Sequence, residues 1–201
     1  MFSEGNRFSG SDRNERLSQS VEIVRLSEDN WAVLRDLKLK ALDQEPVAFE
    51  DPEKGREKYL SRSEEEWRAI LSEQATEERP FENKQVFARD EDGEFIGMVS
   101  SRLPINDGSK RRAVIQQMFV DVSARGRRVG RELLEGLLNR LRNTENVQGA
   151  DLEVVSTQGP AISLYKSLGF VEKEVTTGTA RRGKSEYDEI HMSIDFEDER
   201  E

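Results

Sequence analysis

The sequence has no cysteine and only one histidine, His191, among its 201 residues. Without cysteine the chain can form neither a disulfide nor a thiolate metal site, and it has no thiol nucleophile. One imidazole is too few for an ordinary zinc site, and a Ser-His-Asp triad would depend on His191 alone. We therefore expect no metal, and we interpret His191 as a surface or interface residue.

The sequence also lacks a long hydrophobic run. No stretch of about 18 apolar residues occurs, so no transmembrane helix is expected. Residues 1–20 lack the apolar segment of a signal peptide, which predicts a cytoplasmic protein. Only 34% of residues are hydrophobic and 36% are charged, so part of the chain must lie outside a core. We interpret residues 1–20 as a flexible N-terminal arm and residues 196–201 as an acidic tail.

Positive charge is in deficit, because 41 acidic residues outweigh 31 basic ones and the formal net charge is -10. Phosphate contacts supply most of the affinity of proteins for nucleic acids, so a nucleic-acid partner is not expected. A net negative charge steers cationic molecules toward the protein. The charge therefore suits a cationic substrate.

The hydrophobic pattern predicts one mixed α/β (α+β) domain over residues 21–195. The expected order is strand, two helices, three strands, helix, strand, helix and two strands. Ser27 is a candidate N-cap for the first helix, and Ser63 with Glu66 forms a capping box for the second. Residues 111–122 alternate little, which predicts a strand buried on both faces.

One segment near the C-terminus, GTARRGKS at residues 178–185, matches the phosphate-loop pattern G-x-x-x-x-G-K-[ST] in every letter. A phosphate loop must open a helix, but Ile190, Met192 and Ile194 recur at the two-residue period of a strand. We therefore interpret the segment as part of a polar loop, TTGTARRGKSE, between two strands.

A second basic segment lies where a predicted strand meets a leucine-rich helix. Arginine occupies four of the seven positions from 125 to 131, with glycine at 126 and 130. The first N–H groups of a helix are unpaired and attract anions, and glycine lets a ligand approach the backbone closely. The segment is either a polyphosphate site or a basic, solvated helix start without a ligand.

This segment resembles the acetyl-CoA motif of the GNAT superfamily of N-acetyltransferases. In that motif a strand ending in M-[FY]-V runs into R/Q-x-x-G-x-G/A and a leucine-rich helix, and MFVDVSARGRRVGRELL is similar. Arg128 replaces the first glycine of the motif, whereas Gly130 fills the second. Pyrophosphate binding then requires a helical conformation at Arg128, which arginine adopts readily.

A later segment, LEVVSTQGPAISLYKSLGF at residues 152–170, resembles a second motif of the same superfamily. Gln158 stands where asparagine is usual, and its amide offers the same kinds of hydrogen bond. The resemblance covers residues 21–195 and implies a GNAT-like central mixed sheet with splayed strands flanked by helices.

The resemblance implies acetyl-CoA as the acetyl donor and a set of residues that hold it. In this sequence that set is Met118, Phe119, Val120, Arg125, Gly126, Arg127, Arg128, Val129, Gly130, Arg131 and Gln158. Tyr165 corresponds to the general acid that protonates the departing thiolate. The alternative for Tyr165 is a core residue, since it shares a helical face with Ala161, Leu164 and Leu168.

The general base stays open, because Val114 occupies the strand position at which histone-type relatives carry a glutamate. A water chain, Glu153 or Asp151 could take the amine proton, although an outward-facing carboxylate is the simpler interpretation of both acids. The expected activity is acetyl transfer to a primary amine of a small molecule or a protein, and a homodimer is compatible with it. The alternative is a non-catalytic acyl-CoA sensor.

Overall fold

Seven β-strands form one sheet in the computed structural model, which describes residues 20–49, 51–74, 81–182 and 185–196. The strand order is β1-β2-β3-β4-β5-β7-β6, and only the β4–β5 pair is parallel. Most of the predicted N-terminal arm and acidic tail lie outside the described residues. The strands are β1 (Glu22–Val24), β2 (Phe81–Arg89), β3 (Phe95–Pro104), β4 (Arg111–Val120), β5 (Val147–Val155), β6 (Val171–Arg182) and β7 (Ser185–Asp195).

Five α-helices accompany the sheet within these ranges. They are α1 (Trp31–Gln44), α2 (Pro52–Ser61), α3 (Glu64–Leu71), α4 (Val129–Arg142) and α5 (Gly159–Ser167). The sequence predicts only two helices before β2, and α2 is the one it misses. Its start carries a recognisable signal, because the Asp51 carboxylate accepts a hydrogen bond from Lys54 N at 3.1 Å and Pro52 follows directly. The predicted capping box of α3 is confirmed, with Ser63 N donating to Glu66 at 2.7 Å.

Helices cover the two faces of the sheet unequally. On one face, which we call the α4 face, α4 and α5 pack on residues from β2, β3, β4, β5 and β7. On the opposite face, the α1 face, a second core joins α1, α2 and α3 to β1–β4. Among the described residues, that second core includes none from β5, β6 or β7. The α1 face is therefore helix-covered on only one half of the sheet.

Strand β4 departs from the prediction that both of its faces are buried. Ala113 and Ile115 are buried on the α4 face, but Val114 is 48% exposed. The prediction was wrong because Val114 points to the half of the α1 face that none of the described helices covers. A continuous apolar run indicates burial only where both sheet faces have partners.

The last two strands are longer than the sequence predicts. Residues 178–182 belong to β6 and Ser185 begins β7, so most of the expected polar loop is strand, and residues 183–184 lie outside the described residues. Two extra residues of β6 form a bulge, where Gly178 N donates to Asp188 Oδ1 at 3.0 Å. The phosphate-loop match thus lies in a hairpin and opens no helix.

None of the helices in the described ranges is both long enough and apolar enough to cross a lipid bilayer.

Candidate active site

A cleft opens in the sheet between β4 and β5. Their parallel pairing begins at Arg111 and Val147 and stops at Ile115 and Leu152, although β4 continues to Val120. Beyond the last pair, the facing edges of both strands keep N–H and C=O groups without a ladder partner. The predicted splay of two neighbouring strands is confirmed.

A β-bulge at Gln117 lies at the edge of this cleft. Gln117 has a φ of 58°, and the β3–β4 register shifts there by one residue. The bulge reverses the side-chain alternation, so that Met118 and Val120 face the α4 core while Phe119 enters the α1 core. The sequence does not reveal this bulge, because no glycine or asparagine marks it.

The turn between β4 and α4 contains two left-handed residues, Gly126 at φ 77° and Arg128 at φ 65°. Helix α4 begins only at Val129, with the carbonyl of Arg128 accepting from Arg131 N at 2.9 Å. The expected helical conformation at Arg128 was therefore wrong. The left-handed conformation redirects the chain into the helix, and glycine adopts this conformation without a Cβ clash.

We expect Arg128→Gly to raise the free energy of unfolding by about 0.5–1 kcal/mol, because it relieves the left-handed strain at this position. In a chain of this size that corresponds to a melting temperature higher by about 2 °C. Arg128→Ala is the matched control, since it removes the same guanidinium but keeps the Cβ. Equal melting temperatures for the two variants would show that the left-handed conformation does not strain a residue with a Cβ at position 128.

Two of the four turn arginines are engaged by the protein itself. Arg125 forms an ion pair with Glu45 just after α1, and its Nε donates to Val120 O at 3.2 Å. Arg131 donates from Nη2 to Ser167 Oγ at 2.7 Å, which ties α4 to the end of α5. These two side chains fasten the turn to its surroundings.

For the side chains of the other two arginines, Arg127 and Arg128, no protein partner is found among the described residues. Nε and Nη2 of Arg127 are buried, and no hydrogen-bond partner for them is found in the part of the chain that the structure describes. Buried guanidinium N–H groups without acceptors are costly, so an anion at this place would satisfy them. The side chain of Arg128 is exposed at the same turn.

The end of α1 holds the start of the turn. Lys40 pairs with Asp121 at 2.8 Å, and Gln44 accepts a hydrogen bond from Val122 N at 2.9 Å. Burial alone would raise the pKa of Asp121, but the contacts with Lys40 and Ser123 lower it to about 2. Asp121 therefore stays ionised at neutral pH and keeps this contact.

Gly130 permits close packing inside the protein. A Cβ at this position would lie 3.2 Å from Leu164 Cδ2 and 3.3 Å from Met118 Cε. The sequence suggests that Gly130 exists to let a phosphate approach, whereas the structure uses it to bring α4 against α5 and β4. Gly126 is the open glycine of the turn, because a Cβ there would meet no atom beyond its chain neighbours within 4 Å.

Tyr165 lies on α5 in the core of the α4 face and is 6% exposed. Its ring packs on Phe170 with the centroids 5.9 Å apart, and burial raises its pKa to about 12. The burial agrees with the interpretation of Tyr165 as a core residue. However, no hydrogen bond to its hydroxyl is found among the described residues. Core packing therefore explains the ring but not the hydroxyl.

Gln158 stands at the N-cap position of α5, directly after β5. Its backbone N–H donates to Val155 O at 2.9 Å, and its carbonyl accepts from Ile162 N at 3.0 Å. The residue is half-buried.

The two candidate bases on β5 have different surroundings. Asp151 accepts from Arg112 Nε at 2.8 Å and from Nη2 at 3.2 Å. Burial alone would raise its pKa, but the Arg112 contacts lower it below its usual value. Glu153 is exposed, faces away from the α4 core and follows Leu152, the last residue paired with β4. Glu153 therefore lies at the opening of the cleft, whereas Asp151 is held by an ion pair.

Within the described ranges, no three His, Cys, Asp or Glu side chains are grouped so as to hold a metal ion.

In this α/β fold a parallel strand pair separates beside an arginine-rich turn at the start of a helix. The family model described as the acetyltransferase (GNAT) family matches residues 45–170. The chain therefore belongs to the GNAT acetyltransferase family.

Solved structures of the same fold are similar to the chain at low sequence identity. An acetyltransferase of the GNAT family from Streptococcus pneumoniae has a TM-score of 0.71 at 17% identity, with 88% of this chain and all of that one covered. Arabidopsis thaliana NAA60 with a bisubstrate analogue has 0.66 at 16%, covering 88% and 98%. The ribosomal-protein-S18-alanine N-acetyltransferase from Escherichia coli has 0.62 at 20%, covering 90% and 99%. Among curated protein sequences, no significant match is found.

Proposed function

We propose that this protein transfers the acetyl group of acetyl-CoA directly to a primary amine of a small molecule or a protein. The observation that carries the proposal is the cleft between β4 and β5, which ends at a turn where Arg127 has buried N–H groups without acceptors among the described residues. An extended donor could lie along the free strand edges with its phosphates at that turn.

The turn residues would hold the phosphates in two ways. The backbone N–H groups from Gly126 to Arg131 would bind phosphate oxygens at the start of α4, where the helix dipole adds positive potential. Arg127 and Arg128 would add charge-assisted hydrogen bonds. Arg125 and Arg131 would instead keep the turn in place through Glu45 and Ser167.

The strand residues would hold the remainder of the donor. Met118, Phe119 and Val120 offer backbone groups along the free edge of β4, beside the bulge at Gln117. N–H groups aimed at the thioester oxygen would stabilise the negative charge that develops there. Gln158 would contribute its side-chain amide from the other side of the cleft, and Val129 would hold the base of the turn from its buried position.

The two proton-transfer residues would act from opposite faces of the sheet. Acetyl-CoA supplies the acetyl group as a thioester whose sulfur leaves as a thiolate. Tyr165, on the α4 face, would donate its proton to that sulfur. Glu153, on the α1 face, would accept the proton of the incoming ammonium. Asp151 is the poorer base because Arg112 stabilises its ionised form.

The similar structures suggest which acceptors to include in a test. The Escherichia coli and Brucella melitensis neighbours are ribosomal-protein-alanine N-acetyltransferases, and an Arabidopsis thaliana Naa50 structure contains the bisubstrate analogue CoA-Ac-MVNAL. Peptides with N-terminal alanine or methionine therefore belong in the panel beside polyamines and amino acids. The net charge of -10 suits the polyamines in particular, since they carry a net positive charge.

The test combines calorimetric titration with a thiol-release assay. Acetyl-CoA at about 100 times its dissociation constant should raise the free energy of unfolding by about 2.7 kcal/mol, and at least one amine should release CoA. Arg127→Ala should weaken acetyl-CoA binding by about 10-fold or more, because it removes charge-assisted hydrogen bonds. Arg142→Ala, at the far end of α4, is the matched control and should bind normally.

Two outcomes would contradict the proposal. No binding of acetyl-CoA or CoA at millimolar concentration would exclude the phosphate assignment of the turn. Normal binding without CoA release for any amine would favour an acyl-CoA sensor, provided that intact-protein mass spectrometry also shows no acetylated product.

A further inference from the structure

The single histidine lies on the uncovered half of the α1 face. His191 is directly opposite Glu153 on β5 and opposite Glu174 on β6 in the antiparallel registers. Directly opposed residues on one face have their Cβ atoms about 4.5–5.5 Å apart. His191 is 38% exposed, so its ring is within reach of both the Glu153 side chain and the solvent.

One edge of the imidazole faces a fixed carboxylate. His191 Nε2 lies 3.7 Å from Asp151 Oδ1, and Asp151 is held by Arg112. Arg112 also donates to Asp195 Oδ1 and to Ser193 Oγ, both at 2.6 Å. This network spans β4, β5 and β7 at the end of the sheet where β4 and β5 are still paired. The carboxylate beside His191 is therefore anchored on the closed side of the cleft.

We propose that His191 carries the amine proton from Glu153 to solvent. It acts through Glu153 and does not itself touch the substrate. The inference rests on the proposed function, in which Glu153 is the base. Glu153 takes one proton from the acceptor ammonium, leaving the neutral amine to attack. The proton then passes from the Glu153 carboxyl to the imidazole, which lies 3.7 Å from Asp151 Oδ1, and leaves to water. A second proton leaves the nitrogen as the amide forms and replaces the one that Tyr165 gives to the thiolate. All three side chains return to their starting states, and each turnover releases one proton to water.

The charged groups around the ring come from four strands. They are Arg112 on β4, Asp151 and Glu153 on β5, Glu174 on β6, and Glu189 and Asp195 on β7 itself. Glu153 and Glu189, which is opposite Val155, lie beyond the level of the last β4–β5 pair, and of these two only Glu153 is on a strand that borders the cleft. A proton that leaves the cleft by this face meets His191 as its only imidazole.

The test measures kcat/KM for the best amine against pH. His191→Gln should lower this value by about 10-fold near pH 7, and the loss should shrink as the pH approaches the pKa of the amine. Added imidazole should restore part of the activity, and acetyl-CoA affinity should stay unchanged. Glu174→Gln, the neighbour on the side away from the cleft, should behave as wild type.

A double-mutant cycle decides whether His191 acts through Glu153. If it does, Glu153→Gln with His191→Gln should be no slower than Glu153→Gln alone. Additive losses, or a loss that is equal at every pH and not rescued by imidazole, would overturn the proposal. Failure of the proposed function itself is distinguishable, because wild-type protein would then release no CoA with any amine.

Discussion

Tyr165→Phe is expected to lower turnover by about 10²- to 10⁴-fold and to leave acetyl-CoA affinity within a few-fold of wild type. The substitution deletes one hydroxyl and retains the ring that packs on Phe170. Burial raises the pKa of Tyr165 to about 12, so the phenol is fully protonated at neutral pH and can donate to a thiolate. Without that donor the leaving group must be protonated by water.

First-turnover kinetics are the measurement of choice for this variant, because slow product release would mask a slower chemical step. Melting temperature and cofactor affinity should be taken from the same preparation. If Tyr165 were only a core residue, the variant would keep its turnover and its stability would change little, since no hydrogen bond to the hydroxyl is found among the described residues. Wild-type turnover in a stable Phe variant would remove Tyr165 from the mechanism.

Glu153→Gln is expected to lower kcat/KM near pH 7 by about 10²-fold, because the acceptor amine then loses its base. The loss should diminish at high pH, where a larger fraction of the amine is already neutral. A kcat/KM profile for wild type and variant over the same pH range measures both effects. A loss of the same size at every pH would contradict the role of Glu153 as the base.

Asp151→Asn provides the contrasting variant. The pKa of Asp151 is lowered in the fold, so its ionised form stabilises the protein at neutral pH, and this contribution is lost as the pH falls toward the folded pKa. The variant should therefore have a lower melting temperature at neutral pH, and its melting temperature should approach that of wild type in acid. A change in the pH profile of turnover larger than that of Glu153→Gln would reverse the assignment of the base.

The fold class and the basic turn at the start of α4 could be predicted from the sequence because their signals are local. The capping box of Ser63 and Glu66, the leucine stripe of α4 and the turn from Arg125 to Gly130 are short patterns with direct backbone consequences. The missed helix α2 carried the same kind of signal at Asp51 and Pro52. An aspartate N-cap followed by proline is as local a pattern as the capping box of α3.

Errors arose where the local conformation depends on the surrounding chain. The conformation of Arg128 follows from the angle at which β4 meets α4, and arginine itself prefers the right-handed region. Val114 is exposed because the helices α1–α3 extend no further across the sheet than β4. The sequence around Val114 does not indicate how far those helices extend. The bulge at Gln117 depends on its pairing with β3.

The order of most elements, the basic turn at the helix start and the family to which the chain belongs follow from the sequence alone, because contiguous motifs carry all three. The tertiary structure was needed to show which arginines are available, since Glu45 and Ser167 reach the turn from distant positions in the chain. It also showed that Asp151 is paired with Arg112 whereas Glu153 is exposed, and that His191 is opposite Glu153. Cross-strand register and ion pairs between distant residues set these relations, and no short pattern in a single sequence records them.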